Sequence, residues 1–235
     1  MSYTIIGIDP APTKASVEYD GTEWKTWAPQ DLHDRVRRLK GPAILAWDAP
    51  LSFDRSNFYD RSVDRSVRKW ALSMEKNGKF EKGAVNARAF AALPHWTVSC
   101  DALGMPFGQK PPGFQLAATP PSEESSSVAV IEVHPAVAIG IWWVEADPGF
   151  PLPVYKGKEK AMRAAANAIA SVLKCPKNDA MDDDYLDSYV AHAIGAMFRD
   201  NKARWLGSPE KGGYVLPDTK GSPIFKDLEE LYRQS

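Results

Sequence analysis

Three short stretches of the chain are apolar almost without interruption: TIIGID at 4–9, AILAWDAPL at 43–51 and SVAVIEV at 127–133. Such runs lack the strict alternation of a half-wet sheet and fit strands buried on both faces. After the first run, ASVEY and EWKTWA flank Asp20-Gly21, a hairpin signal, so the opening segment predicts an antiparallel three-strand meander. From Asp31 to Lys40 the apolar period lengthens. Leu32, Val36 and Leu39 share one helical face, and Gly41-Pro42 stops the helix. The strand–helix–strand order predicts a right-handed crossover onto a mixed sheet.

Farther along, DRSNFYDRSVDRSVRKWALSMEKNGK is helical in pattern and rich in arginine. From Pro94 to Pro121 the chain carries six prolines and three glycines, which predicts mostly loop. Lys160 to Leu173 reads as an alanine-rich helix stopped by Cys175-Pro176. A second helix is expected from about Asp182 to Asn201, with Leu186, Tyr189, Val190, Ala193 and Met197 as its apolar stripe. GGYVLPDTKGSPIF reads as an extended or hairpin piece and KDLEELYR as a short closing helix. No repeat or low-complexity linker divides the chain, so one α/β domain over 1–235 is expected, with an insertion at about 52–127.

Composition narrows the class. With 44% hydrophobic and 25% charged residues the 235-residue chain matches an ordinary globular protein, not a disordered tail or a fibrous repeat. No apolar run approaches the roughly 20 residues of a membrane span. MSYTIIGIDP lacks a basic n-region, so no secretory signal and a cytoplasmic location are expected. Cys100 and Cys175 have no CxxC spacing and are too few for a disulfide framework or a zinc site. The net charge of −1 argues against a generic duplex-coating protein. Yet the charges are segregated: Arg55 to Arg88 holds nine Lys/Arg and four Asp/Glu, a local excess of five positive charges.

The acids stand where acids are costly. Asp9, Asp48 and Glu132 each end an apolar run, and a buried carboxylate must be paired, hydrogen-bonded or metal-bound. Each of Asp9 and Asp48 alone fits a turn before a proline. Together the three acids fit a ligand site at the strand ends of an open α/β sheet. NDAMDDDYLDSYVAH adds a fourth group. Asp182 and Asp179 suit the helix N-terminus, where acids cap free N–H groups and favour the dipole. Asp184 and Asp187 are spaced i, i+3 on one side of the first turns, and Asp183 is the alternative at i, i+4. Carboxylates this close repel unless a cation lies between them, and a hard divalent ion such as Mg²⁺ is the natural partner. Two such ions about 3.5–4 Å apart clamp the attacking and leaving oxygens of a phosphodiester. The chain has no GxSxG elbow and no Walker A loop to suggest other chemistry.

GIDPAPT, AWDAPLSF, DRSVDRSVR, VIEVHP and DDDYLDSYVAHAIGA occur in the order seen in a domain-of-unknown-function family of RNase H-like nucleases, which the chain resembles over about Tyr3 to Arg199. The aspartate helix is also similar to that of Holliday-junction resolvases. The resemblance implies an RNase H-like mixed five-strand sheet, its first three strands antiparallel, flanked by helices. It implies Mg²⁺ or Mn²⁺, two ions, on Asp9, Asp48, Glu132, Asp184 and Asp187, and a nucleic acid, DNA or RNA, as substrate. Similar families carry an acid after the His-Pro of the glutamate strand, where this chain has Ala136.

Other residues divide between readings. His134 suits proton transfer or phosphate holding, and equally a structural role beside Pro135. Arg61, Arg65 and Arg68 repeat at helical spacing. They fit a phosphate-holding stripe, or a salt-bridged face with Asp60 and Asp64. Trp47 and Trp142-Trp143 fit core positions, His192 core or surface, and Trp96 a base-stacking position. Two further classes compete with the nuclease. GIDPAPTKASV also resembles the first phosphate loop of actin-like ATP-binding proteins, although no glycine-rich nucleotide motif accompanies it. A non-catalytic module that keeps the fold is the other, and it predicts acids too far apart to share an ion.

Overall fold

The computed structural model describes residues 3–52, 60–87, 93–104, 114–157, 159–209, 212–218 and 222–235. Its centre is a mixed six-strand sheet in the order β3-β2-β1-β4-β6-β5. β1 (Thr4–Asp9), β2 (Ser16–Tyr19) and β3 (Trp24–Trp27) form the expected antiparallel meander, whose second turn is pinned by Asp20 Oδ1 accepting from the amides of Thr22 and Glu23, each at 3.0 Å. α1 (Pro29–Arg37) starts on a proline, whose missing N–H costs nothing there, and crosses to β4 (Ala43–Trp47), parallel to β1. β6 (Val128–Glu132) lies parallel to β4, and every residue of both strands is buried, as their unbroken apolar runs require.

The structure departs from expectation in the middle of the chain. The segment read as loop holds α3 (Leu93–Leu103) and β5 (Phe114–Leu116), which adds a sixth strand beside β6. The arginine-rich stretch forms α2 (Ser62–Lys76), while Arg55 and Arg88 lie outside the described residues. α4 (Pro135–Ala146) leaves no stripe in the sequence because Pro135 to Ile141 are buried without a break. α5 (Lys160–Val172) and α6 (Asp183–Arg199) lie where their patterns place them. β7 (Ala203–Ser208) and β8 (Gly212–Pro217) make a separate hairpin, and α7 (Pro223–Arg233) follows. Among the described residues no helix is long and apolar enough to cross a membrane.

Alternation along the strands sends side chains to two cores. Ala43, Leu45 and Trp47 of β4 and Val128 and Val130 of β6 pack in the smaller core with Leu32, Val36 and Val98. Ile44, Ala46, Ala129 and Ile131 join the larger core with the buried faces of α2, α4, α5, α6 and α7. α6 rests directly on β1 because two glycines permit it. A Cβ on Gly7 would stand 2.2 Å from both the Ser188 oxygen and the His192 amide, and one on Gly195 would stand 2.9 Å from Ile5 Cγ2. The buried stripe of α6 runs through Leu186, Asp187, Val190, Ala191, Ile194 and Phe198, so Tyr189, Ala193 and Met197 lie at its border. Asp187 is thereby carried into the interior, against the end of β1.

Candidate active site

A cleft of about 210 Å³ opens at the C-terminal edge of the parallel strands, walled by Asp9, Asp48, Glu132, Lys156 and Tyr214 among others. Asp9 ends β1. Asp48 follows β4 with its amide still bonded to the Ile8 carbonyl at 3.0 Å, which keeps the strand register. Alternation gives Asp9 the face of Gly7 and Asp48 the face of Ile44 and Ala46, so both carboxyls lie on the α6 side of the sheet. No hydrogen bond or ion pair from the described residues reaches either carboxylate. Burial raises Asp9 well above the usual carboxylate range, and Asp48, Asp187 and Asp184 add to the rise. Asp48 is pushed up to about 7, mostly by burial, against a partly offsetting pull from Lys156.

Glu132 does not join them. It pairs with Trp47 in the β4–β6 register, on the opposite alternation from Asp48, and both of its oxygens are engaged. Oε2 accepts from the amides of Leu51 (2.7 Å) and Ser52 (3.1 Å) and from the Ser52 hydroxyl (2.9 Å), and Oε1 accepts from Arg61 Nη1 (2.7 Å). Arg61, 1% exposed, also bonds Asp64 through Nε (2.9 Å) and packs over the Tyr214 ring at 5.0 Å. It lines the cleft, with its guanidinium engaged by Glu132 and Asp64. Arg65 and Arg68 both pair with Asp60, and Arg68 also bonds the Ala87 carbonyl, so the structure assembles a salt-bridged surface here.

On α6, Asp182 is the N-cap and accepts from the Tyr185 amide at 3.3 Å. Asp187, 2% exposed, accepts from the Tyr155 hydroxyl (2.8 Å) through Oδ1 and pairs with Lys156 Nζ (2.5 Å) through Oδ2. Asp184 is bound to Lys14, and Asp183 accepts from the Gly157 amide at 3.2 Å. Asp184 and Asp187 therefore both face the strand-end acids, each holding a lysine. Although 45% of the Lys156 side chain meets solvent, its ammonium lies among the acids. Desolvation opposes its charge, and Asp187, Tyr155 and Asp48 more than restore it.

The other wall carries His134 and Tyr214 beside the paired Arg61. His134 caps α4 and is held down to about 3 by burial, with Lys156 and Arg61 adding to the effect. It stays neutral at ordinary pH and cannot hold a phosphate as a cation. Its Nδ1, His95 Nδ1 and the Tyr214 hydroxyl are all buried without a hydrogen-bond partner among the described residues. Trp96, 4% exposed, belongs to α3 and is no open stacking platform. Trp47 and Trp143 are core, and the His192 ring packs edge-on to Tyr19 at 5.1 Å.

Sequence reading missed Lys156, Tyr155, Lys14, Tyr214 and the inward role of Arg61. VYKGK carries no motif, and its place beside Asp187 arises only when the segment between α4 and α5 folds over the end of β1. Whether a cation fits turns on the donors. Asp9 and Asp48 are half-buried, on adjacent strands, mutually repelling and uncommitted among the described residues, which suits a hard divalent ion; Glu132 has both oxygens engaged and fits less well. Among the described residues no three acid, histidine or cysteine groups are placed to hold one ion together. Mg²⁺, however, is commonly bound by one or two carboxylates, with waters and substrate phosphate completing its shell. No protein-family model matches this chain, and no curated protein or solved structure does so either.

Proposed function

We propose that the chain is a metal-dependent hydrolase of nucleic-acid phosphodiesters, with an RNase H-like core. The strand order β3-β2-β1-β4-β6, antiparallel over its first three members, supports that architecture, with β5 as an added edge. The observation that carries the activity is the Asp9–Asp48 pair: two half-buried carboxylates at the ends of neighbouring parallel strands, uncommitted among the described residues and opening onto a cleft. Mg²⁺ or Mn²⁺ held there would polarise a phosphoryl oxygen and make water more acidic. Asp184 and Asp187 face that position from α6. Lys14 and Lys156 bring positive charge to where a phosphate would lie, and Tyr214, His95 and neutral His134 offer uncharged hydrogen-bonding atoms to the substrate.

Labelled single-stranded, duplex and branched DNA and RNA, incubated with Mg²⁺ or Mn²⁺, test the reading. Cleavage is expected, falling by about 10²–10³-fold in Asp9→Asn and in Asp48→Asn, the scale of losing one organised electrostatic contact to the transition state. Cleavage that survives both substitutions overturns the site. A non-catalytic module predicts no cleavage by the unmodified chain.

A further inference from the structure

The acid centre already carries protein cations where a two-ion site needs room. Asp187 commits one oxygen to Tyr155 and the other to Lys156, and Asp184 is bound to Lys14. Glu132 is closed by Arg61 and the 51–52 turn. What stays open is Asp9 with Asp48. Independently, the Tyr214 hydroxyl, on a residue 2% exposed, stands at the wall of the same cleft with no partner among the described residues, a buried polar atom that calls for a ligand.

We propose that this centre takes one divalent cation, on Asp9 and Asp48, and that the Lys156 ammonium, seated on Asp187, fills the second cationic position. The inference deepens the hydrolase reading and rests on it for what the ion is used for. Lysine suits the position because its ammonium is a compact point charge that a phosphate oxygen accepts as readily as a carboxylate does. Tyr155 fixes the arrangement by holding the other oxygen of Asp187, so the carboxylate cannot turn both of its oxygens toward an ion. Arg61 removes Glu132 from competition. The chain thus supplies with its own side chains the charge that a second ion would bring.

Mn²⁺ binding to the full chain tests this, with ions counted by native mass spectrometry and examined by electron paramagnetic resonance. The unmodified protein is expected to bind one Mn²⁺ with the spectrum of an isolated ion, and Asp48→Asn to weaken binding about ten- to a hundredfold. Lys156→Met is expected to bind two Mn²⁺ with an exchange-coupled spectrum, as ions about 3.5–4 Å apart give. Two ions or none on the unmodified chain overturns the proposal, as does Lys156→Met remaining at one. Should Lys156→Met fail to fold, Lys156→Arg keeps a cation and is expected to stay at one ion, and two would overturn it. One ion without any cleavage leaves this inference standing and ends the hydrolase reading. Two ions with cleavage does the reverse.

Discussion

Asp48 holds its proton to about pH 7 because burial disfavours its charge, and that fact has a stability consequence with a definite sign. An unfolded aspartate ionises near 3.9. Between that value and about 7 the folded chain binds the extra proton, so stability falls as pH rises through this window. Without divalent ions, Asp48→Asn should therefore gain on the parent as pH increases from about 4 to 7, by roughly 3 kcal/mol at the upper end. Denaturant titrations across that range check it, and a constant difference between the two proteins would refute it. Arg61 illustrates the opposite balance. Arg61→Met leaves Glu132 and Asp64 buried without their cation and should cost about 3–5 kcal/mol in urea unfolding.

At the scale of elements, α6 against β1 decides whether the site exists. Gly7→Ala inserts a methyl group where backbone atoms of α6 already stand at 2.2 Å. The helix must back away, at a cost of about 3 kcal/mol, with Mn²⁺ affinity lost along with stability. Calorimetric titration beside denaturant unfolding would show both. The strands that carry Asp9, Asp48 and Glu132 were legible because parallel buried strands leave unbroken apolar runs, and the acids that end them stand out. α6 was legible from its cap and its period. α4 was not, because a helix buried all round shows no stripe, and β5 is too short to rise above its proline-rich surroundings. Glu132 and Asp48 look alike in sequence, each an acid at the end of an apolar run. Their difference lies in strand alternation relative to neighbours, and in Arg61, which arrives from a helix 71 positions away.

Across the whole molecule, charge that averages to −1 is sorted into a place of use. The acids of α6 hold two lysines from distant segments on one side of the strand-end acids, and His134 and Tyr214 with the paired Arg61 stand on the other. Three arginines of the arginine-rich stretch, Arg61, Arg65 and Arg68, are each paired within the fold. The contact of α6 with β1 also sets an order of events. Asp9 leaves the ribosome well before Asp187, so the centre joins parts of the chain made far apart in time. Contacts of such long sequence separation form slowly. A nascent chain therefore carries its strand-end acids unassembled until α6 is available to dock, and the chemistry proposed for them is withheld until then.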